Sequence, residues 1–232
     1  MNRALSRAPS ALALRIIDLG LIPIVRFERW DQAQRIVEAL FAANVGIVEF
    51  PMTSPQALKA IEKISDAYGD AMVVGAGTVL DVKTVRACAL AGARFIVSPC
   101  VDYSVIRACR ARAIVVCPGA LTPTEAQSAW EAGADFVKIF PCDSMGGVAY
   151  IKSLKTPLPD VAMIPVGGVT AENAGDFIRA GCVAVGVGNG LIDKKALAAS
   201  RYKSITLSAS KYLKAIREAR RARTGRSAGF HR

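Results

Sequence analysis

Histidine is nearly missing from this chain: the single one is His231. A zinc site or a histidine-dependent triad is therefore nearly excluded. The six cysteines (Cys88, Cys100, Cys109, Cys117, Cys142, Cys182) show no CxxC spacing. They read as reduced, mostly buried thiols of a cytoplasmic protein. Aromatic residues make up only 6%, and no apolar run reaches the roughly 18–20 residues of a membrane helix. Acid–base chemistry is thereby left to carboxylates, lysine or water, with neither metal nor cofactor expected.

Acidic residues are scarce in one place. Residues 201–232 carry ten Lys or Arg against Glu218 alone, so most of the net charge of +11 sits there. The basic excess thus belongs to a C-terminal helix and tail. The arginines from Arg217 to Arg226 have no aromatic residue among them to stack on bases, which argues against nucleic acid as a partner. Residues 217–232 read as a solvated, disordered tail. At the other end, MNRALSRAPSALALR has Arg3, Arg7 and Arg15 and no acid. This is the composition of a transit peptide, but the preferred reading is a short amphipathic helix under the fold.

What the chain has is alternation. Short β-branched runs fall at 21–25, 45–50, 71–77, 94–99, 113–118, 135–141, 162–168 and 183–188. Helix-period segments lie between them at 30–43, 54–68, 81–91, 102–111, 122–132, 147–155 and 171–180, with another at about 205–221. Eight βα units predict a single closed (β/α)₈ TIM barrel over residues 1–216, with an extra N-terminal helix. An open doubly wound sheet is the runner-up. Helices end on a repeated phrase (ALAGARFIV, WEAGADFVK, IRAGCVAVG, LFAANVGIV) in which Gly or Asn stops the helix in the left-handed region.

Barrel enzymes work at the C-terminal strand ends. Arg26, Glu49, Thr78 and Lys138 stand there, with Gly167-Gly168 and Gly188-Asn189 after the last two strands. Strand parity aims Ile24 with Arg26, Ile47 with Glu49, and Phe136 with Lys138 and Phe140. A lysine inside FVKIF costs desolvation energy as an ammonium, so burial favours the neutral amine that attacks a carbonyl. An ion pair with Glu49 is the plain alternative. Glu49 can carry protons to and from the amine adducts, and Arg26 can hold a carboxylate in bidentate fashion through two parallel N–H bonds. The two glycine loops, each read as leading straight into a helix, suggest a phosphate site. Two further readings stay open on these residues. One is a phosphate-binding isomerase or decarboxylase in which Lys138 acts electrostatically. The other is a non-catalytic sugar-phosphate sensor whose tail binds nucleic acid.

From about residue 12 to residue 200 the chain resembles the 2-keto-3-deoxy-6-phosphogluconate/galactonate aldolases. IVEFPMTSP, DAYGD, GAGTVL, FIVSP, VCPGALTPTEA, VKIFP and PVGGVTAEN carry the resemblance, in this order. It implies a metal-free, homotrimeric, cytoplasmic class I aldolase that yields pyruvate and D-glyceraldehyde 3-phosphate. By motif, Lys138 would form the Schiff base and Glu49 would be the acid/base. Arg26, Thr78 and Pro99 would line the pyruvate end, and Gly167, Gly168, Gly188 and Asn189 the phosphate end. Asn189 stands where members usually carry serine. Val166 before the glycine pair, and EFPMTSP without an arginine, are similar to the galactonate-type members. The resemblance therefore implies the phosphorylated 2-keto-3-deoxy sugar acid of galactonate or galactose breakdown, with the gluconate epimer or dual specificity as the alternative.

Overall fold

In a computed structural model of the protein, residues 8–227 are described. The strands run β1 (Leu21–Pro23), β2 (Ile47–Pro51), β3 (Val73–Gly77), β4 (Phe95–Val97), β5 (Val115–Cys117), β6 (Gly119–Ala120), β7 (Val137–Ile139), β8 (Met163–Pro165) and β9 (Val185–Val187). Every ladder between them is parallel. β5 and β6 are two halves of one stave. Pro118 between them has no N–H for a ladder, yet its carbonyl accepts from the Lys138 N–H at 2.9 Å. β2 through β5 and β6 through β8 form continuous ladders, and β9 pairs with β1. Bridges Ile24↔Glu49 and Val166↔Gly186 join β1 to β2 and β8 to β9. The ring of staves is therefore closed, which rules out the open sheet.

Helices α1 (Ala11–Leu19), α2 (Trp30–Phe41), α3 (Ala57–Tyr68), α4 (Val82–Leu90), α5 (Tyr103–Arg110), α6 (Pro123–Glu131), α7 (Val148–Lys155), α8 (Ala174–Arg179), α9 (Lys194–Ala198) and α10 (Lys203–Ser227) complete the chain. Local chemistry starts them where the sequence indicates. Asp81 and Asp102 cap α4 and α5, while Thr122 and Glu125 form a capping box with Pro123 in the first turn of α6. The repeated stop phrase works as read: Asn44, Gly92, Gly133 and Gly181 have φ of 60, 98, 91 and 102°.

Two apolar layers result. Outward strand residues such as Val48, Phe50, Val74 and Val185 meet the helices. Inward residues Ile22, Ile47, Val73, Phe95, Val115, Phe136, Ile164 and Ala184 fill the barrel together with Ala13 and Ile16 of α1. The helix at 11–19 therefore plugs the floor. Its carbonyls Ile17 O and Asp18 O accept from the Arg220 guanidinium, which also donates to Val183 O at 3.1 Å. Gly20 permits this approach, since a Cβ there would lie 2.5 Å from an Arg220 nitrogen.

Two expectations about the basic end change. α10 continues to Ser227, past the boundary drawn at residue 216. Its second half is folded because Ile216 and Ala219 are buried against the body and Arg220 has carbonyl partners. The end of the expected tail, His231 included, lies outside the described residues, as do the first residues of the transit-like segment.

Candidate active site

Following the inward positions upward along each stave leads from the apolar filling to polar groups. On β2 the order is Ile47 then Glu49, on β7 Phe136 then Lys138, and on β1 Ile22, Ile24 and Arg26. Glu49 and Lys138 are 4% and 7% exposed, the only buried charged side chains where burial is described. Ionisable pairs are rarely buried without a task.

Room for Glu49 comes from a neighbour. Gly77 lies across from it at the end of β3, and a Cβ there would sit 1.6 Å from Glu49 Oε1. Burial pushes the Glu49 carboxyl above its ordinary value of 4.5, while the charges of Lys138 and Arg26 pull it down. No ion pair within 4.0 Å joins Glu49 to Lys138 among the described residues, so the plain salt-bridge reading fails. Above Lys138, its Nζ lies 4.6 Å from the centroid of the Phe140 ring at the mouth. Below the pair, burial raises the Cys117 thiol to about 12, which keeps it protonated and a poor nucleophile.

The remaining expected residues follow the C-terminal ends of their strands. Thr78, half-buried just after β3, has φ 56°. A β-branched residue rarely adopts that region, and such strain gathers at functional positions. Pro99 is half-buried after β4, its carbonyl oxygen 2.2 Å from where a Gly119 Cβ would be. Arg26 is exposed and lies across to β9, with one guanidinium nitrogen 2.9 Å from the ideal Cβ of Gly188. It thus lies beside Gly188 while its charge reaches Glu49. Val166 is half-buried, its Cγ2 2.7 Å from the ideal Cβ of Gly186.

The glycine loops are built differently from expectation. α8 and α9 begin at Ala174 and Lys194, so Thr170 and Glu172 precede a helix instead of opening it. The first loop turns on left-handed glycines, with φ of 101 and 65° at Gly167 and Gly168. Asn173 holds the first loop, accepting from Thr170 N–H at 2.8 Å and donating to Gly168 O at 2.9 Å. Asn173 and Asp143, which lies against Gly167 and Gly168, escaped the reading of the sequence. The phrases PCDSMGG and VTAEN mark them only as ordinary loop polars. Among the described residues no group of three or more His, Cys, Asp or Glu could hold a metal. No helix there is long and apolar enough to cross a membrane.

The family described as KDPG and KHG aldolase matches residues 14–208. This chain belongs to that family. A curated relative from Escherichia coli K12, a 2-dehydro-3-deoxy-6-phosphogalactonate aldolase, is 43% identical over 87% of this chain and 96% of its own length. A solved structure described as native KDPGal superposes with a TM-score of 0.81 at 42% identity, covering 88% of this chain and 97% of that one. The KDPG aldolase of Legionella pneumophila, with pyruvate captured as a covalent carbinolamine, gives a TM-score of 0.80 at 25% identity, over 87% and 97%. Membership fits the interior geometry: one lysine and one carboxylate share the upper end of a KDPG and KHG aldolase barrel whose floor is sealed.

Proposed function

We propose that this chain is a class I aldolase that cleaves 2-dehydro-3-deoxy-6-phospho-D-galactonate to pyruvate and D-glyceraldehyde 3-phosphate through a Schiff base on Lys138. The observation that carries the reading is the burial of Lys138 beside Glu49 at the upper end of a closed barrel. The neutral Lys138 amine adds to the C2 carbonyl. Glu49 in its acid form then protonates the leaving hydroxyl, and water departs to give the iminium. The Glu49 carboxylate takes the proton of the C4 hydroxyl as the C3–C4 bond breaks, and the bonding pair flows into the iminium as an enamine. Glyceraldehyde 3-phosphate leaves, C3 is reprotonated, and water releases pyruvate from Lys138. A carboxyl held above its ordinary value by burial takes and returns a proton more evenly than an exposed carboxylate does.

Arg26 and Thr78 serve the substrate carboxylate, with Pro99 as an apolar wall. Gly167, Gly168, Gly188 and Asn189 serve the phosphate, and the working unit is a homotrimer in the cytoplasm. Val166 supports the galactonate epimer because it offers no hydroxyl to the sugar chain where threonine would. Identity with the Escherichia coli galactonate enzyme points the same way.

Incubation with pyruvate followed by borohydride reduction tests the mechanism. A stable adduct on Lys138, located by peptide mass, is expected; a protein left unlabelled contradicts it and favours the isomerase or sensor alternatives. Steady-state kcat/KM for the two C4 epimers tests the substrate. Preference for the galactonate form, narrowed in Val166→Thr, is expected, and preference for the gluconate form in the wild type overturns the assignment.

A further inference from the structure

Asp143 is exposed and opens the short 3₁₀ turn Asp143–Met145 after β7. That turn is tied to the end of β8, since Cys142 N–H donates to Val166 O at 2.9 Å, and is closed internally by Gly146 N–H donating to Asp143 O at 3.1 Å. The tie brings the Asp143 side chain over the Gly167-Gly168 loop. A Cβ on Gly167 would lie 2.7 Å from Asp143 Oδ1, and one on Gly168 would lie 2.4 Å from Asp143 Cβ. Both positions therefore need glycine for room as well as for their left-handed backbone. Among the described residues no cation and no hydrogen-bond donor is paired with the Asp143 carboxylate. An unpaired negative charge thus overlies the backbone groups assigned above to a phosphate.

We propose that Asp143 is a specificity-determining residue at the distal end of the site, where its carboxylate penalises a doubly charged phosphate relative to an uncharged chain end. The inference rests on the phosphate reading of the Gly167-Gly168 loop. It makes the loop a tuned anion site, strong enough to position the phosphate yet weakened so that a phosphorylated aldehyde is released. A dianion within a few ångströms of a carboxylate in a solvated mouth loses about fivefold in affinity.

The test uses the condensation direction, with pyruvate and either D-glyceraldehyde or D-glyceraldehyde 3-phosphate. Asp143→Asn is expected to raise the preference for the phosphorylated aldehyde about fivefold, through its KM, and to strengthen inhibition by inorganic phosphate by a similar factor. Added salt should shrink the gap between variant and wild type, because screening weakens the repulsion. Asp143→Glu retains the charge and should keep the wild-type preference. A preference that stays level or falls in Asp143→Asn overturns the proposal, as does a gap indifferent to salt. The failure of the aldolase reading would show separately, as the absence of a pyruvate adduct on Lys138 in the wild type. An adduct without a shift in preference removes the role of Asp143; where Gly168→Val also leaves inhibition by inorganic phosphate unchanged, it is the phosphate reading of the loop that has failed.

Discussion

At the N-terminal end of the barrel the inward side chains fill space: Ile22, Ile47, Val73 and Ala184 meet Ala13 and Ile16 of α1, and Arg220 fastens that helix from outside. Further up, Glu49 stands two residues after Ile47 and Lys138 two residues after the inward Phe136, with Thr78 strained just past the end of β3. One parity serves both ends, so the change from filling to chemistry is made by residue type and not by a change of backbone. The floor gains stability by excluding water and satisfying helix carbonyls. The mouth gives up stability by burying two ionisable groups. The floor should therefore respond to substitution in stability and the mouth in turnover.

The largest test of that division is Gly77→Ala. The added methyl would occupy the space of Glu49 Oε1, so the carboxylate must swing away. Loss of a positioned acid–base group should lower kcat about 10²- to 10⁴-fold, read in a coupled pyruvate assay. At the floor, Ile16→Ala removes a fully buried side chain and should cost about 2–5 kcal/mol by denaturant unfolding, with kcat/KM unchanged. Activity falling with retained stability in that variant would erase the distinction between the ends. Arg220→Ala should cost about 1–2 kcal/mol, since half-exposed charged donors to the carbonyls of Ile17, Asp18 and Val183 are lost.

The smallest and most pointed effect on stability is expected from Glu49→Gln. Burial holds the Glu49 carboxyl above 4.5, so the native state keeps its proton more readily than the unfolded chain does. Its contribution to stability is complete below that ordinary value and is lost as pH rises through the raised native one. Removing the charge should therefore raise Tm by a few degrees at neutral pH, with the gain fading toward pH 4. The same variant should lose turnover. A Tm that falls at neutral pH would mean that attraction to Lys138 and Arg26, not desolvation, governs the site.

Much of this was legible along the chain because periodicity and parity are local. The eight strand runs, the left-handed stops at Asn44, Gly92, Gly133 and Gly181, and the inward facing of Glu49 and Lys138 follow from spacing two and spacing 3.6. What escaped depends on contacts between distant segments. Gly77 looks like any strand-end glycine until Glu49 is seen against it, and Asp143 is an ordinary loop acid until β8 brings Gly167 and Gly168 beneath it. Charge density suggested a loose tail from residue 217, but Ala219 and Arg220 carry α10 on because the floor offers an apolar face and open carbonyls. The loops after β8 and β9 looked like helix starts because glycine before Thr or Asn is also a capping signal.

The central claim, that the mouth converts a buried lysine and carboxylate into a carbonyl-attacking pair, is met most directly by a crystal structure of the protein soaked with pyruvate. The account predicts continuous density from Lys138 Nζ to C2 of pyruvate, a Glu49 carboxyl oxygen within hydrogen-bonding distance of the adduct, and the pyruvate carboxylate turned toward Arg26 and Thr78. Pyruvate held noncovalently, or bound elsewhere with Lys138 unmodified, would contradict it.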